Sequence, residues 1–543
     1  MRIHLVQPNL HIGNYEAIFQ VCVAEIESAI ANKADIVIFP EMAATGYPAL
    51  DLLTYPSFNQ KAFQLINDLA PYSKELAIVI GGPQANTESI GKTLFNAAYF
   101  LDKGSIQKVV HKMLLPTYDI FDEYRYFHPG KPDNLIHFKG HKICLTICED
   151  IWNEDTRNLY GDGPLDYLLK QGVQPDLHIN IAASPYSPEQ QNRRNEVLLK
   201  NAQKGKCPVV YSNHAGTQTE LVFDGNSQIV YPDGKRYQLP LFTACSATIE
   251  LGETQEQAIP ASPLEQKHQA LVAGVKDFFE KSGFSKAILG LSGGIDSALT
   301  AAIAAEALGK DNVLGVLMPS QYSSDHSIQD ALDLAKNLGM KTETVAIKDS
   351  FGAVRSAMPA DFQATEFGLA EENFQARLRG LTLMGMSNKF GHVLLNTSNK
   401  SEIAVGYGTL YGDMCGGLAV IGDLYKTEVF DLCKWLNRNE EVIPWNTITK
   451  PPSAELRPDQ KDSDSLPDYA VLDAILKSYI EEQKGPEEII ALGFDAETVN
   501  KSIALVNRNE FKRFQSAPIL RVSKKAFGFG RRIPLVSKPL NAN

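Results

Sequence analysis

Lys286-Ala-Ile-Leu-Gly-Leu-Ser-Gly-Gly-Ile-Asp-Ser297 joins a short apolar run, a glycine loop and the start of an alanine-rich segment that continues to Leu308. Lys286 to Leu291 reads as a strand, Ser297 to Leu308 as a helix, and Val313-Leu-Gly-Val-Leu-Met318 as the next strand. Strand, helix and strand in that order make a βαβ unit, so the expected architecture is α/β with a doubly wound, Rossmann-like parallel sheet. A helix is expected just upstream, from Gln269 to Lys281. The loop itself opens a helix, where backbone N–H groups and the helix dipole can cradle a phosphate chain. Gly293 and Gly294 allow close approach, since neither has a Cβ. Asp296 is anionic and poorly suited to touch phosphate, but well suited to hold a Mg²⁺ that bridges to it. No Gly-Lys-Ser/Thr follows, which separates the loop from the Walker pattern. A tight turn would explain a lone glycine loop equally well.

Working outward, the 543 residues are too many for one hydrophobic core and call for two or three domains. With 44% hydrophobic and 21% charged residues, the composition is that of a folded protein and excludes a disordered chain or a fibre. No run of about 18 apolar residues offers a membrane span. The amino terminus lacks a small-residue cleavage site, which leads to the expectation of a cytoplasmic protein without membrane association. Seven cysteines, with no Cys-x-x-Cys pair, give neither a disulfide framework nor a zinc site, and leave one free to act as a nucleophile. A net charge of −12 argues against nucleic acid as a partner.

The first half alternates strand-like and helix-like segments, as a layered α/β domain does. Ile18, Val21, Cys22, Ile26, Ala29 and Ile30 form one apolar helix face. Strands are expected at 35–39, 76–80, 142–148 and 177–181. Between 251 and 267 the sequence turns rich in Glu, Gln, Pro and Ala and loses its periodicity. The expected organisation is therefore a domain over 1–250, a linker over 251–267 and a second domain over 268–543.

Three segments of the first domain each present a reactive side chain near a strand end: Phe39-Pro-Glu41, His111-Lys112-Met-Leu-Leu-Pro116 and Thr146-Ile-Cys148-Glu149-Asp150. Taken singly, Glu41 could cap a helix, Lys112 could be a solvated charge and Cys148 a small buried hydrophobe. Together they make a logical amidase: an ammonium favours the thiolate and an oxyanion, while a carboxylate accepts the thiol proton. These segments resemble the nitrilase, or carbon–nitrogen hydrolase, family over roughly residues 1 to 250. That resemblance implies an αββα sandwich with Glu41 as general base, Lys112 as oxyanion stabiliser and Cys148 as nucleophile. Asp122-Glu123-Tyr-Arg-Tyr-Phe127 also looks familial, with Glu123 placed to orient Lys112. The glutamine-using branch of the family holds its substrate with a tyrosine after the lysine motif and a serine after a later strand, positions that Tyr118 and Ser184 match. Six residues beyond that serine, where the branch has Lys or Arg, this chain has Gln190, with Arg193 and Arg194 a little further on.

The glycine loop resembles that of the ATP pyrophosphatases, which cleave ATP between the α and β phosphates and leave an adenylylated substrate. That resemblance assigns Gly290, Leu291, Ser292, Gly293, Gly294, Ile295, Asp296 and Ser297 to ATP. Four further segments narrow the substrate: Glu371-Glu-Asn-Phe-Gln-Ala-Arg377, Leu395-Asn-Thr-Ser-Asn-Lys-Ser-Glu402, Ala404-Val-Gly-Tyr-Gly-Thr-Leu-Tyr-Gly-Asp413 and Gly422-Asp-Leu-Tyr-Lys426-Thr. In order and together they are similar to the NAD⁺ synthetase family over most of residues 265 to 535. The resemblance implies that Thr397 contacts ATP, Glu402 helps Asp296 hold metal or meets deamido-NAD⁺, Asn373 and Asp413 contact the dinucleotide, and Lys426 faces the phosphates of the reacting pair. It also implies glutamine, ATP and deamido-NAD⁺ as substrates, Mg²⁺ as cofactor and a homo-oligomer. The rival readings are an amidotransferase of another ATP-pyrophosphatase type, and an amidase whose second domain binds nucleotide only as a regulator.

From Phe511 to Asn543 the chain carries Lys512, Arg513, Arg521, Lys524, Lys525, Arg531, Arg532 and Lys538 and no acidic residue. A solvated basic tail, or one packed on the acidic body, would account for this. The interleaved Phe511, Phe514, Phe527 and Phe529 and the pyrophosphate of the implied substrate favour a binding role, and the family resemblance gives it to Lys512.

Overall fold

Along the strand Ala77–Ala85, Ala77 and Val79 point to one buried face and Ile78 and Ile80 to the other. A strand buried on both faces lies inside a layered structure, with a sheet on one side and helices on the other. The computed structural model, which describes residues 1–537 except 89, 156, 158, 256–260, 459 and 461, shows such layers in the first of two compact units, Met1–Ala261 and Ser262–Asn543.

The strands of the first unit are β1 (Arg2–Gln7), β2 (Ile36–Ile38), β3 (Ala77–Ala85), β4 (Leu94–Asp102), β5 (Ser105–His111), β6 (Leu135–Phe138), β7 (His141–Ile147), β8 (Leu177–Ile181), β9 (Val209–Ser212), β10 (Ala215–Gln218), β11 (Leu221–Asp224), β12 (Gln228–Val230), β13 (Arg236–Gln238) and β14 (Cys245–Glu250). One sheet runs β14-β1-β2-β3-β4-β5 and another β13-β12-β9-β8-β7-β6, with β10 and β11 as a separate pair. Ile3, Leu5, Ile36, Ile38 and Val79 of the first sheet share a core with Ile143, Leu145, Ile179, Ile181 and Val210 of the second. The outer face of the first sheet, with Val37, Phe39, Ile78 and Ile80, packs on Ile18, Cys22 and Ile26 of helix Tyr15–Ala31 and on Leu65 and Ile66 of helix Pro56–Leu69. This is the expected αββα sandwich. Beyond the expectation, the two sheets repeat one pairing pattern. From β14 to β5, and from β6 to β13, neighbours pair antiparallel, parallel, parallel, antiparallel, antiparallel.

Strand positions agree with the sequence reading, and their ends differ: β3 runs past the expected Ile80 to Ala85, because Gly81 to Ala85 go on pairing with β4. β8 spans the expected residues, and β7 stops at Ile147 because Cys148 takes a left-handed φ of 43° and begins the 3₁₀ turn Cys148–Glu154. The helix expected from Gln269 instead spans Pro263–Ser282. Ser262 accepts a hydrogen bond from the Glu265 N–H, and Pro263 occupies the first turn, so a complete start signal lies within the stretch read as linker. Residues 263–267 of that linker are thus helical, and 256–260 lie outside the described residues.

In the second unit β15 (Ala287–Gly290), β16 (Val313–Leu317), β17 (Lys341–Thr344), β18 (Val393–Asn396) and β19 (Leu418–Ala419) form one parallel sheet in the order β17-β16-β15-β18-β19. The chain winds one way from β15 through β16 to β17 and resumes on the other side at β18. The switch point therefore lies between the carboxyl ends of β15 and β18, where α/β sheets place their ligands. The basic tail folds back on this unit. Leu520, Val522, Ala526 and Phe527 are buried, and Ile519 bridges to Ala419 of β19. Lys538 lies outside the described residues.

Candidate active sites

Three strand ends of the first unit deliver three side chains to one buried place. Glu41 sits in the turn after β2, Lys112 directly follows β5 and Cys148 directly follows β7; all three are essentially inaccessible to solvent. Lys112 Nζ lies 2.7 Å from Glu41 Oε1 and 2.8 Å from Glu123 Oε2. Asn96 of β4 donates to the same Glu41 oxygen at 2.7 Å, and Tyr47 donates to Glu123 at 3.1 Å. Glu41 Oε2 is thereby left buried with no hydrogen-bond partner among the described residues. It is the open acceptor of the cluster.

The charges are set by this company. Burial pushes the Cys148 thiol well above its ordinary range and Glu41 pushes it further, while Lys112 and a backbone hydrogen bond from Ala183 pull it back. Burial works against the charge of Lys112, yet Glu123 and Glu41 outweigh it and hold the ammonium well above its ordinary value. Burial also raises Glu123 to about 7, against the pull of Lys112. The site can keep a neutral thiol beside a fixed ammonium and a carboxylate with one free oxygen. That arrangement suits attack on an amide with the proton taken up by Glu41.

Asp150 ties the site together in a way the sequence reading missed. Its carboxyl, raised by burial to about 7, accepts N–H bonds from Met113 and Leu114 at 2.9 Å and from Ile147 at 3.0 Å, linking the lysine segment to the cysteine turn. Tyr118 and Ser184 both lie nearby: Tyr118 donates to Glu149 Oε1 at 2.8 Å, and the Ser184 N–H donates to Asn213 at 2.9 Å. Gln190 lies in the first turn of helix Pro188–Gly205, where its N–H donates to Ser187. Of the two arginines beyond it, Arg194 is fully buried against Asp224, and Arg193 pairs with Asp155.

The second unit gathers its candidates at the switch point. Leu291 to Gly294 connect β15 to helix Ile295–Leu308. Gly293 has φ 74°, and a Cβ there would lie 2.2 Å from the Ser327 carbonyl oxygen, so only glycine fits. Ser297 Oγ donates to the Gly294 carbonyl at 2.9 Å and lies 3.2 Å from Ser292 Oγ, which fixes the loop from within. Thr397, half-buried, follows β18 on the facing side of the switch point.

Lys426 Nζ lies 2.5 Å from Asp296 Oδ2 and 3.3 Å from Glu402 Oε1, and Asn399 donates to Asp296 Oδ1 at 2.9 Å. Burial pushes Glu402 up to about 8, with Lys426 opposing and Asp296 adding to the shift. Two carboxylates converging on one cation are a donor set that fits a hard divalent ion. Glu402 belongs to the short helix Lys400–Val405, and the remaining candidates gather around the loop at its far end. Lys512 Nζ donates to the carbonyls of Gly406 and Gly408 at 2.8 and 2.7 Å, the Thr409 N–H donates to Asp413 at 2.6 Å, and Thr409 Oγ1 donates to Asn373 at 2.7 Å. Asn373 of helix Leu369–Phe390 and Lys512 of the short helix Glu510–Arg513 thus meet the loop that bears Asp413, while Asp296, Glu402 and Lys426 gather at the other end of helix Lys400–Val405. The sequence reading missed Asn399 and the buried Lys400, which pairs with Asp423 and Glu481 at 2.9 and 2.7 Å.

Two family models divide the chain between them, carbon–nitrogen hydrolase over residues 2–258 and NAD synthase over residues 267–516. The chain is 48% identical to the glutamine-dependent NAD(+) synthetase of Synechocystis sp. over 98% of both sequences, and 43% identical to that of Acinetobacter baylyi over 99% of this chain and 98% of the relative. Among solved structures it is similar to a glutamine-dependent NAD⁺ synthetase from Acinetobacter baumannii in complex with adenosine diphosphate, with a TM-score of 0.77 and 38% identity over 98% of each chain. The fold is shared with a synthetase from Cytophaga hutchinsonii at a TM-score of 0.84 and 20% identity, covering 99% of this chain and 98% of that one. With a triad at the strand ends of a nitrilase-like sandwich, a glycine loop at the switch point of a parallel sheet, and relatives that match both along their whole length, the chain belongs to the glutamine-dependent NAD(+) synthetase family.

Proposed function

We propose that the protein hydrolyses glutamine to glutamate and ammonia in its first unit and spends that ammonia, in its second, on ATP-activated deamido-NAD⁺, giving NAD⁺, AMP and pyrophosphate. The observation that supports this most is the presence in one chain of a Glu41–Lys112 ion pair beside Cys148 and of a phosphate-cradling loop whose Asp296 faces Lys426 and Glu402. In the first reaction Cys148 Sγ attacks the carboxamide carbon as Glu41 Oε2 takes the thiol proton, and Lys112 Nζ donates to the oxyanion. Glu41 returns that proton to the leaving nitrogen as the intermediate collapses to ammonia and a thioester, and then, again a carboxylate, takes a proton from the water that hydrolyses the thioester to glutamate and the free thiol. Tyr118, Ser184 and Gln190 line the path of the glutamine.

In the second reaction the loop from Gly290 to Ser297 and Thr397 hold ATP. Asn373, Asp413 and Lys512 hold the dinucleotide so that its nicotinate carboxylate reaches the α-phosphorus. Asp296 and Glu402 would hold Mg²⁺, which supplies charge neutralisation for the departing pyrophosphate. Lys426 stays charged between them and neutralises phosphate oxygens on the same side. Ammonia then attacks the acyl carbon and displaces AMP. We place the protein in the cytoplasm, where all seven of its unpaired cysteines would stay reduced, and infer a homo-oligomer, as the family resemblance implies. No helix among the described residues is long and apolar enough to cross a membrane.

Incubation with glutamine, ATP, Mg²⁺ and deamido-NAD⁺ tests the reading: NAD⁺, AMP and glutamate should appear together. Glutamine hydrolysis with no AMP formed on deamido-NAD⁺ would leave only an amidase and overturn the proposal.

A further inference from the structure

A site that hydrolyses free glutamine must deal with an α-carboxylate as well as an amide, and a carboxylate taken from water needs a cationic partner. The residue six beyond Ser184 offers none, because Gln190 is neutral. Nor do the nearest cations. Lys112 is fixed between Glu41 and Glu123, and Arg194 is fully buried with its charge against Asp224.

Arg157 is placed differently. It comes from the loop after the turn Cys148–Glu154, its guanidinium lies 4.7 Å from the centre of the Tyr118 ring, and its Nη2 donates to the Tyr118 hydroxyl at 3.2 Å. That hydroxyl in turn donates to Glu149, the neighbour of the nucleophile in sequence. Asp155, almost buried, holds Arg157 by its Nε and Arg193 from the other side, so the guanidinium is anchored at its base. The Arg157 side chain keeps 31% of its surface exposed. The result is a cation anchored at Nε, stacked on an aromatic ring and open at its outer edge, the geometry in which guanidinium takes a carboxylate in two parallel bonds.

We propose that Arg157 receives the α-carboxylate of glutamine and so makes the site prefer a free amino acid over other primary amides. The inference rests on the glutaminase reading above and adds the residue that sets its substrate preference.

The test compares glutamine with glutaminamide, in which the α-carboxylate is itself an amide, measuring ammonia release from the γ-carboxamide with wild type, Arg157→Ala, Arg157→Lys and Arg193→Ala. Arg157→Ala should lower kcat/KM for glutamine by about 10- to 100-fold, chiefly through KM, and leave glutaminamide turnover unchanged. Arg157→Lys, which keeps the charge but not the fork, should recover part of the loss. Arg193→Ala, which shares Asp155 but not the Tyr118 ring, should keep the preference for glutamine. Equal losses for both substrates in Arg157→Ala would mean that the arginine only supports the loop, and an unchanged KM for glutamine would remove it from the site; either overturns the inference. A wild-type protein that released no ammonia from glutamine would instead overturn the glutaminase reading itself.

Discussion

Lys512 is a residue whose sequence context pointed two ways, and its contacts show how both can hold. Its ammonium donates to the carbonyls of Gly406 and Gly408, within the field of Asp413. Three arginines of the tail use their positive charges on the protein: Arg513 donates to the carbonyls of Ile403, Ala404 and Val506, Arg521 to those of Ser523 and Lys524, and Arg531 to Glu510. The tail is therefore packed from Ile519 to Phe527, and Lys512 stands out because its partners belong to the loop that also bears Thr409 and Asp413. Lys512→Ala should raise KM for deamido-NAD⁺ about 10- to 100-fold, since a charge-assisted hydrogen bond is worth on the order of 1.5 to 3 kcal/mol, with glutamine hydrolysis measured alone unaffected. Steady-state kinetics with the dinucleotide varied at saturating ATP decide it, and an unchanged KM would leave Lys512 a purely structural staple. Legibility at this scale follows from chemistry. Glu41, Lys112 and Cys148 stood out because reactive groups at strand ends are rare. Asn96 and Asp150 did not, because an amide within a strand, or one carboxylate next to another, has no pattern until the partner is seen.

Between elements, Gly81 shows how closely the first site depends on backbone approach. At Gly81 of β3 a Cβ would lie 2.3 Å from the Met42 nitrogen and 2.6 Å from Glu41 Cα, so the strand can touch the Glu41 turn only without a side chain. Gly81→Ala should therefore displace Glu41 and cost glutamine-driven activity an order of magnitude or more, with a loss of about 1 to 3 kcal/mol in stability from the clash. Full glutaminase activity in a folded Gly81→Ala protein would show that the Glu41 turn moves without consequence. A second element-scale prediction concerns the short helix that carries Glu402. Its carboxyl is raised by burial from an ordinary 4.5 to about 8. A carboxyl with a raised folded-state pKa stabilises the fold while protonated, and that contribution is lost as pH climbs from the unfolded value through the folded one. Glu402→Gln cannot ionise. Without Mg²⁺ or ATP, its melting temperature should gain on wild type between about pH 5 and 8 and level off above, and a difference constant with pH would refute the shift. The elements themselves were largely readable, because alternating apolar residues mark strands and the 3.6-residue period marks helix Tyr15–Ala31. Their ends were less so: Cys148 at φ 43° cuts its strand short, and Ser262 and Pro263 start a helix inside a stretch whose composition reads as linker.

At the scale of the whole molecule, the two halves of the first unit turn out to be versions of one arrangement, since its two sheets repeat the same pairing order. No sequence repeat betrays it, because sheet order is set by which buried faces meet rather than by residue identity. Cys148 follows β7 and Glu41 follows β2, so the two come from strand ends of opposite sheets that share one core. The second unit reaches its site by a different route, through the switch point of a single parallel sheet. Each unit has its own core, its own sheets and its own reactive cluster, so damage to one chemistry should leave the other standing. Cys148→Ala removes the nucleophile and should abolish glutamine-driven NAD⁺ formation by at least about 10³-fold, while NAD⁺ formation from added ammonium continues at a rate near wild type. Asp296→Ala should fail with either nitrogen donor, because activation of the dinucleotide precedes the step at which the donors differ, and its own glutamine hydrolysis should persist. The two variants assayed side by side, for NAD⁺, AMP and glutamate with glutamine and then with ammonium, give a crossed pattern that no general loss of folding reproduces. Ammonium failing to rescue a folded Cys148→Ala protein, or Asp296→Ala forming AMP normally at ordinary Mg²⁺, would mean that the two chemistries are not divided between the units in this way.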